Sequence, residues 1–348
     1  MTLGQAESDG AISAGLTGLV VAGDEAGWIV DQDGVVWRIS PDGTAAQTDL
    51  EIPTYNSGFS TFVDGTVVFG GTRCDGEVSG EACNGETVVE MRLLNEGDLS
   101  LDTVELFRED GGSYRSVGAG VRGVADGAVW VYRDTGELSA VDADGNVTEL
   151  AIPTGADSPR AECMVDGELF GIRDDVAAAD DFASDVAPTP TIYEPGTQAT
   201  NRWVVDRWDG NAWVPVENGA HTTEGPDVSI TCISQGYVIH LRSPHTPVAE
   251  WSPAEGWQQP GARTAPLDLN SLLMSTTKSL YTVSDGTLQR VDLPADSFAA
   301  TAVTEAAVGT AEGEQPSSID IVDDAGALLI ACTSLGRDAG RCVVTPDE

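Results

Sequence analysis

Short apolar runs separated by tight glycine turns repeat along the whole chain. The clearest copies place an Asp-Gly pair between two runs rich in Val and Phe, at Asp64-Gly65, Asp126-Gly127 and Asp166-Gly167. Looser copies occur at Gln235-Gly236 and Asp324-Ala325-Gly326. A two-residue turn of this kind needs positive φ angles, which Asp and Gly accept, so each copy predicts an antiparallel hairpin. The pattern therefore predicts an all-β chain.

The hairpin signal recurs every 40 to 65 residues or so, which indicates one supersecondary unit used several times. The best internal match aligns Trp28-Ile29-Val30 and Asp42-Gly43 with Trp130-Val131-Tyr132 and Asp144-Gly145, at identical spacing. Four strands fit into each repeat, except that the last repeat is one strand short. We expect residues 10–17 to supply that strand. The predicted units are residues 18–53, 54–110, 111–153, 154–220, 224–260, 266–307 and 316–348.

This repeat pattern resembles the seven-bladed β-propeller superfamily, in particular its secreted bacterial members, over essentially the whole chain. The resemblance implies a single domain, residues 1–348, made of seven four-stranded antiparallel blades and closed into a ring by the N-terminal strand. The pattern contains no fingerprint of one family within the superfamily. Because propellers include lyases, glycosidases, quinoproteins and binding scaffolds, the resemblance predicts the fold more sharply than the function.

The chain is strongly acidic, with a net charge of −40 from 57 Asp and Glu against 17 Lys and Arg. So negative a surface repels nucleic acid and anionic membrane surfaces, and it favours cationic partners or divalent metal ions. A second interpretation is that the charge only keeps the protein in solution. We expect a monomer whose ligand is a small molecule, a glycan or a protein.

Six cysteines, an even number without a Cys-x-x-Cys pair, favour disulfides in an oxidising compartment. Cys74–Cys83 and Cys332–Cys342 each flank a predicted connection between the second and third strands of a unit. Cys163 and Cys232 each stand three residues before the first hairpin turn of neighbouring units, so they are predicted to pair, with two buried thiols as the alternative. We therefore expect an extracellular or cell-surface protein whose export signal or anchor has been removed.

Polar residues close to predicted first strands suggest a ligand site at the mouth of the central channel, between the insertions of the second and fourth units. Loops on a rigid scaffold often carry binding residues, although exposed loops are polar without any such role. The predicted mouth residues are Asn56, Arg122, Arg160, Glu162, Asp227 and Asp320.

The insertion of the fourth unit carries clustered carboxylates, which are the ligands that Ca²⁺ prefers. A regular Asp-x-Asp-x-Asp-Gly series is missing from it, so a solvated acidic loop is the competing interpretation. We predict no obligatory cofactor. If Ca²⁺ binds, its predicted ligands come from Asp174, Asp175, Asp180 and Asp181.

Two hypotheses for function follow. The first is an exported, non-catalytic binding or sensing propeller. The alternative is a propeller lyase or hydrolase acting on a polysaccharide or a lactone, with His240 as base and Arg242 as anion clamp. A lone strand histidine is usually structural, so these two residues are weak catalytic candidates.

Overall fold

The chain consists of β-strands joined by turns, and no helix occurs in the part that the computed structural model describes. That part comprises residues 11–12, 19–31, 33–55, 57–79, 82–113, 119–133, 137–151, 161–174, 200–224, 228–233, 236–241, 247–258, 273–275, 280–284, 287–291, 300–302, 321–334 and 340–347. Consequently, no helix of the described residues is long and apolar enough to cross a membrane.

The described strands are numbered in chain order. The first fourteen are β1 (Ala11–Ile12), β2 (Leu19–Ala22), β3 (Gly27–Val30), β4 (Val35–Ile39), β5 (Ala45–Glu51), β6 (Ser57–Val63), β7 (Thr66–Asp75), β8 (Val78–Ser79), β9 (Ala82–Asn95), β10 (Leu101–Ser113), β11 (Ala119–Ala125), β12 (Ala128–Arg133), β13 (Glu137–Asp142) and β14 (Val147–Ala151). The others are β15 (Ala161–Val165), β16 (Glu168–Asp174), β17 (Thr200–Trp208), β18 (Trp213–Glu224), β19 (Val228–Ile233), β20 (Gly236–Leu241), β21 (Pro247–Ser252), β22 (Gly256–Gln258), β23 (Leu273–Ser275), β24 (Leu280–Ser284), β25 (Thr287–Val291), β26 (Ala300–Ala302), β27 (Ile321–Asp323), β28 (Leu328–Ser334) and β29 (Gly340–Pro346).

These strands form antiparallel sheets in which sequence neighbours pair. We number the described sheets in chain order: sheet 1 holds β2–β5, sheet 2 β6–β10, sheet 3 β11–β14, sheet 4 β15–β18, sheet 5 β19–β22, sheet 6 β23–β26, and sheet 7 β27–β29 with β1. All are four-stranded except sheet 2, where β8 adds a short fifth strand beside β9. In the insertion of the second unit, β7 runs to Asp75 and β9 begins at Ala82, so the described part of the insertion is largely strand. β10 and β18 end at Ser113 and Glu224, slightly beyond the predicted unit boundaries.

The sheets belong to two compact units. Unit 1 holds sheets 1, 2, 3, 6 and 7, and unit 2 holds sheets 4 and 5. In unit 1 the first strands of consecutive sheets are neighbours: β23 contacts β27, β27 contacts β2, β2 contacts β6, and β6 contacts β11. In unit 2, β15 contacts β19 in the same way. Consecutive blades of a β-propeller have this arrangement, so each unit is built in the propeller manner.

The apolar cores lie between the faces of neighbouring sheets. Trp28 and Ile29 are consecutive residues of β3 and point to opposite sides of sheet 1. Trp28 packs with Phe69 of sheet 2, whereas Ile29 packs with Ile330 of sheet 7. The middle strand is therefore buried on both faces, which explains why it is a continuous apolar run. Trp28 is fully buried in this packing.

The predicted Asp-Gly turns are confirmed. Their φ angles are +45° and +79° at Asp64-Gly65, +54° and +69° at Asp126-Gly127, and +50° and +77° at Asp166-Gly167. Two successive positive φ values define the type I′ turn, whose twist matches that of the flanking strands. In each hairpin the residues on either side of the turn pair directly, as Val63 does with Thr66.

The N-terminal strand pairs with the end of the chain. Ala11 and Ile12 of β1 lie opposite Arg341 and Gly340 of β29, and sheet 7 has the order β1-β29-β28-β27. The segment predicted to complete the last unit thus contributes a short strand to it.

Deleting residues 1–17 is expected to lower the melting temperature, because β29 then loses its outer partner and presents an open edge. Differential scanning calorimetry measures this effect. The matched control deletes residues 1–10 and keeps Ala11 and Ile12, and it is expected to melt within about 1 °C of the full chain, the change that a few tenths of a kcal/mol produces. Equal melting temperatures for the two truncations would contradict a stabilising role of β1.

The cysteines pair as predicted, as Cys74–Cys83, Cys163–Cys232 and Cys332–Cys342. The reason given for Cys163–Cys232 needs a correction, however. Cys163 stands two residues before the last pair of its hairpin, Val165 with Glu168, whereas Cys232 stands one residue before Ile233, which pairs with Gly236. Because alternate residues point to opposite faces, the two cysteines are not equivalent. They face each other, and their Cα atoms are 5.5 Å apart.

Candidate functional site

A cavity of about 520 Å³ opens among hairpin turns of unit 1. Its wall comes from turns that join the first and second strands of sheets 1, 2, 3 and 7. The described residues that line it are Asp24, Phe62, Val63, Asp64, Gly65, Val124, Ala125, Asp126, Gly127, Ala325, Gly326 and Ala327. Three carboxylates, Asp24, Asp64 and Asp126, are the charged side chains of this lining. We call it the turn cavity.

The aspartates of the turn cavity owe their positions to the type I′ turns. Asp64 and Asp126 both occupy the first central turn position, and both side chains are exposed. Gly127 accepts its positive φ and also leaves room for the neighbouring turn, because a Cβ atom there would lie 2.7 Å from Oδ2 of Asp64. The Asp64 carboxylate of sheet 2 therefore reaches the turn of sheet 3.

Backbone hydrogen bonds fix the opposite wall of the turn cavity. The Gly326 N–H donates to the Ala22 carbonyl at 2.8 Å, and the Ala327 N–H donates to Oδ1 of Asp24 at 2.8 Å. A Cβ atom on Gly326 would collide with the backbone of Gly23. The turns of sheets 1 and 7 are thus held at a close approach, and this wall is preformed.

Glu96, just beyond β9, supports the same wall from sheet 2. Its carboxylate is 6% exposed and accepts three hydrogen bonds, from Nε1 of Trp28 at 2.7 Å and from the N–H groups of Asp24 and Glu25 at 2.8 and 3.3 Å. Because Glu96 occupies the space beside Gly23, residue 23 must lack a side chain. The carboxylate locks the first turn of sheet 1 to sheet 2.

A second polar group lies between sheets 1 and 2, toward the other end of the strands. The buried carboxylate of Glu90 accepts from Nε and Nη2 of Arg92 at 3.1 and 2.8 Å, and forms an ion pair with Arg73 at 3.0 Å. Burial, and then the Glu90 charge, raise the pKa of the nearby Tyr55 hydroxyl. Both guanidinium groups bind Glu90, so the group links β7 to β9 within sheet 2 rather than presenting a charge to a ligand.

Unit 2 has a related arrangement. Gly171 of β16 lies between Glu162 of β15 and Asp206 of β17, and Arg173 donates from Nε to Oδ2 of Asp206 at 2.5 Å. Directly paired residues share a face, and so do residues two apart in a strand, so Arg173 and Asp206 lie on the same face of sheet 4. Sheet 2 repeats the pattern, with Gly71 opposite Glu90 and with Arg73 two residues further along β7.

The described histidine side chain, His221, stacks on Trp257 within unit 2, with ring centroids 4.9 Å apart. Burial lowers its pKa below the ordinary value of 6.5. The unfolded chain therefore binds a proton at a higher pH than the folded chain does. The stability that this difference contributes is complete above pH 6.5 and is lost as the pH falls toward the pKa of folded His221.

Acidification from pH 7.5 to 5.5 is accordingly expected to lower the urea midpoint of the wild-type chain more than that of His221→Phe, which keeps a ring on Trp257. The comparison of the two pH profiles isolates this histidine from the titrating carboxylates, which both chains share. Identical losses would show that His221 does not contribute, and an NMR titration giving a pKa at or above 6.5 would contradict the effect of burial.

The predicted mouth residues remain largely untested. Arg122 and Glu162 lie in β11 and β15, and the structure describes their backbone only. The others lie outside the described residues, and they are Asn56, Arg160, Asp227 and Asp320.

The structure describes equally little of the other predicted site residues. His240 lies in β20 opposite Ser229 and Asp174 in β16 opposite Trp203, both with backbone only described. Arg242, Asp175, Asp180 and Asp181 lie outside the described residues. Among the side chains that are described, no three His, Cys, Asp or Glu are grouped to hold a metal ion. Calcium binding and catalysis by His240 therefore stay predictions.

Sequence reasoning missed the turn cavity, although its residues had been singled out. Asp64 and Asp126 were read as turn formers, which they are. No local signal marks the cavity, because Asp166 holds the same turn position as Asp64 and Asp126 and is not among the described residues that line it.

Fold and site together define the class: an all-β protein of consecutive four-stranded antiparallel sheets, paired as in β-propellers, with an acidic cavity among its turns. No protein-family model matches the chain. Nor does a curated protein sequence match it.

Solved structures do resemble it. A streptogramin B lyase shares 11% identity at a TM-score of 0.46, with 98% of each chain covered. A catalytically inactive virginiamycin B lyase from Staphylococcus aureus with quinupristin shares 11% identity at 0.44, covering 98% of this chain and 99% of the other. The β-propeller domain of Swd1 from Myceliophteria thermophila shares 10% identity at 0.45, covering 97% and 99%.

Proposed function

We propose that this chain is an exported, non-catalytic binding protein whose ligand occupies the turn cavity. In this proposal the seven sheets are the blades of one propeller domain, closed through β1, and the three disulfides stabilise it outside the cell. The observation that carries the proposal is the turn cavity itself. Its volume of about 520 Å³ is in the range of small-molecule sites, and turns of four sheets converge on it.

The rigidity of the wall also supports a binding role. Hydrogen bonds from Gly326 to Ala22, from Ala327 to Asp24, and from Asp24 to Glu96 hold the turns before any ligand arrives. A preformed site loses little conformational entropy on binding, so modest contacts suffice for useful affinity. The lining offers carboxylates, backbone groups and apolar side chains, which suit recognition. The alternative of a lyase or hydrolase depends on His240 and Arg242, whose side chains lie outside the described part of the chain.

A cavity-blocking variant tests the proposal. Ala327 is exposed, lines the turn cavity, and donates its N–H to an aspartate at 2.8 Å. Ala212 is matched to it, since it is an exposed turn alanine whose N–H donates to Asp209 at 2.8 Å, but it belongs to sheet 4 and not to the cavity. We expect a thermal-shift panel of amines, sugars, amino acids and organic acids to contain compounds that raise the wild-type melting temperature.

The shifts are expected to vanish in Ala327→Trp and to persist in Ala212→Trp. Shifts that survive in both variants would place the ligand elsewhere and overturn the turn cavity as the site. A panel without effect on the wild type, repeated by NMR at millimolar ligand, would count against a binding function. A turnover of any panel compound that His240→Ala abolishes would favour the enzyme instead.

A further inference from the structure

One tripeptide of the chain has the acceptor pattern for N-linked glycans. It is Asn146-Val147-Thr148, and none of the other seven asparagines in the sequence is followed by Ser or Thr at the second position. Oligosaccharyltransferases require this pattern, because they bind the hydroxyl two residues after the asparagine whose amide receives the sugar. A pattern this short also arises by chance, so its position in the fold decides whether it can serve as an acceptor.

The structure places this tripeptide where an enzyme and a glycan can reach it. Its three residues are all exposed, and they lead from the turn after β13 into β14. Gly145, with a φ of +81°, forms the packed side of the turn, because a Cβ atom there would lie 3.0 Å from Cγ2 of Val104 in sheet 2. Glycine thus makes the close approach to sheet 2, and the asparagine that follows it is left in solvent.

The hydrogen bonds of this turn are compatible with a sugar on the asparagine amide. The backbone N–H of Asn146 donates to Oδ1 of Asp142 at 2.8 Å, and Nδ2 donates to Oδ2 of the same carboxylate at 2.8 Å. An amide nitrogen carries two hydrogens, so replacing one of them by a glycosidic bond leaves the other to donate. Asn146 can therefore be glycosylated without losing the side-chain contact that orders its turn.

The strand that follows Asn146 also benefits from a polar cover. β14 is the outer strand of sheet 3, and Val147 at its beginning is 40% exposed. An outer strand with exposed apolar residues favours pairing with other chains, which bulky and soluble groups hinder. A glycan on Asn146 would lie at the beginning of this edge.

We propose that Asn146 is the acceptor of an N-linked glycan. In the transfer, a bond forms between Nδ2 of Asn146 and the anomeric carbon of a sugar carried on a lipid diphosphate. The bond from that carbon to the diphosphate oxygen breaks, the lipid diphosphate leaves with the electron pair, and the amide gives up one proton. Thr148 supplies the hydroxyl that the transferase recognises. This inference rests on the export that the proposed function includes, and it is independent of the ligand in the turn cavity.

Secretion of the full chain from cultured mammalian cells, behind a cleavable signal peptide, tests the proposal. A peptide N-glycosidase in heavy-oxygen water releases the glycans and converts each glycosylated asparagine to labelled aspartate, which peptide mapping by mass spectrometry locates. We expect the label at Asn146. It is expected to disappear completely in Asn146→Gln and in Thr148→Ala, and to persist in Thr148→Ser, which keeps the hydroxyl. Secreted and cell-retained chains are both mapped, so poor secretion of a variant does not hide the modification.

The chain offers a matched control in sheet 4. Asp209-Gly210-Asn211 repeats Asp144-Gly145-Asn146 at an exposed turn between the third and fourth strands, but Trp213 stands where Thr148 would be needed. We therefore expect no label at Asn211.

The pattern of labelling decides the matter. Label at Asn146 that is lost in Thr148→Ala and kept in Thr148→Ser supports the proposal. Wild-type chain with an unlabelled Asn146 would overturn it, and so would label at Asn211 or label that survives in Thr148→Ala. An unlabelled Asn146 leaves the thermal-shift comparison of Ala327→Trp with Ala212→Trp unaffected, so this proposal and the binding function fail separately.

Discussion

Replacing Glu96 by alanine is expected to lower the free energy of unfolding by about 3 kcal/mol, because buried hydrogen-bond donors lose their acceptor. The Trp28 indole N–H is fully enclosed and cannot turn to water, and the N–H groups of Asp24 and Glu25 lose the same carboxylate. The loss also frees the turn of sheet 1 that forms one wall of the turn cavity. Urea denaturation followed by tryptophan fluorescence measures the effect.

Two comparisons make this prediction specific. Glu96→Gln keeps one accepting oxygen and is expected to lose about half as much stability as the alanine variant. Glu51→Ala removes an exposed carboxylate from β5 and is expected to change stability by less than about 0.5 kcal/mol. If Glu96→Ala were as mild as Glu51→Ala, the hydrogen bonds to Glu96 would not contribute to stability.

Removing the Cys163–Cys232 bridge by a double alanine substitution is expected to cost about 4 kcal/mol in the chain-entropy account of disulfides. Its cysteines are 69 residues apart, whereas Cys74 and Cys83 are only 9 apart. Closing the longer loop restricts the unfolded chain more strongly. The same account gives about 3 kcal/mol for the Cys74–Cys83 pair. Guanidinium denaturation of the two double variants provides the comparison.

The wild-type chain under strong reductant is the control, since it loses all three bridges at once and should be less stable than either variant. A Cys163/Cys232 variant no less stable than the Cys74/Cys83 variant would show that loop length does not govern these bridges. Non-reducing peptide mapping of the wild type checks the pairing itself. Free thiol at Cys163 would contradict it.

The features that sequence predicted well are those set by local chemistry. Asp-Gly turns form because two adjacent residues accept positive φ, and the strands around them follow from their apolar runs. Cys163 and Cys232 were paired correctly for an incomplete reason. Cys163 lies two residues before the last pair of its hairpin, whereas Cys232 lies one residue before the last pair of its own. Only the strand register, which places Ile233 opposite Gly236, shows this difference.

The turn cavity was beyond local reasoning, because its wall joins residues far apart in the chain. Asp24 and Ala327 are 303 positions apart, and Glu96 acts on residues more than 65 positions earlier. Buried carboxylates such as Glu90 are equally hard to foresee, since a polar residue in a strand normally predicts an exposed face. The burial of Glu90 depends on Arg92 of its own strand and on Arg73 of the neighbouring strand β7, and no local pattern shows the second of these.

The placement of Trp28 and Ile29 in two different cores bears on how unit 1 comes apart. Each middle strand belongs to the packing on both of its sides, so a sheet cannot leave without opening two interfaces. A stack of modules that touched through separate surfaces would fray one module at a time. Here the amide protons of β3, β7 and β28 should instead exchange through one shared opening with a single free energy. Hydrogen exchange would then report sheets 7, 1 and 2 as one cooperative block, and a defect introduced in any of them would speed exchange in all three.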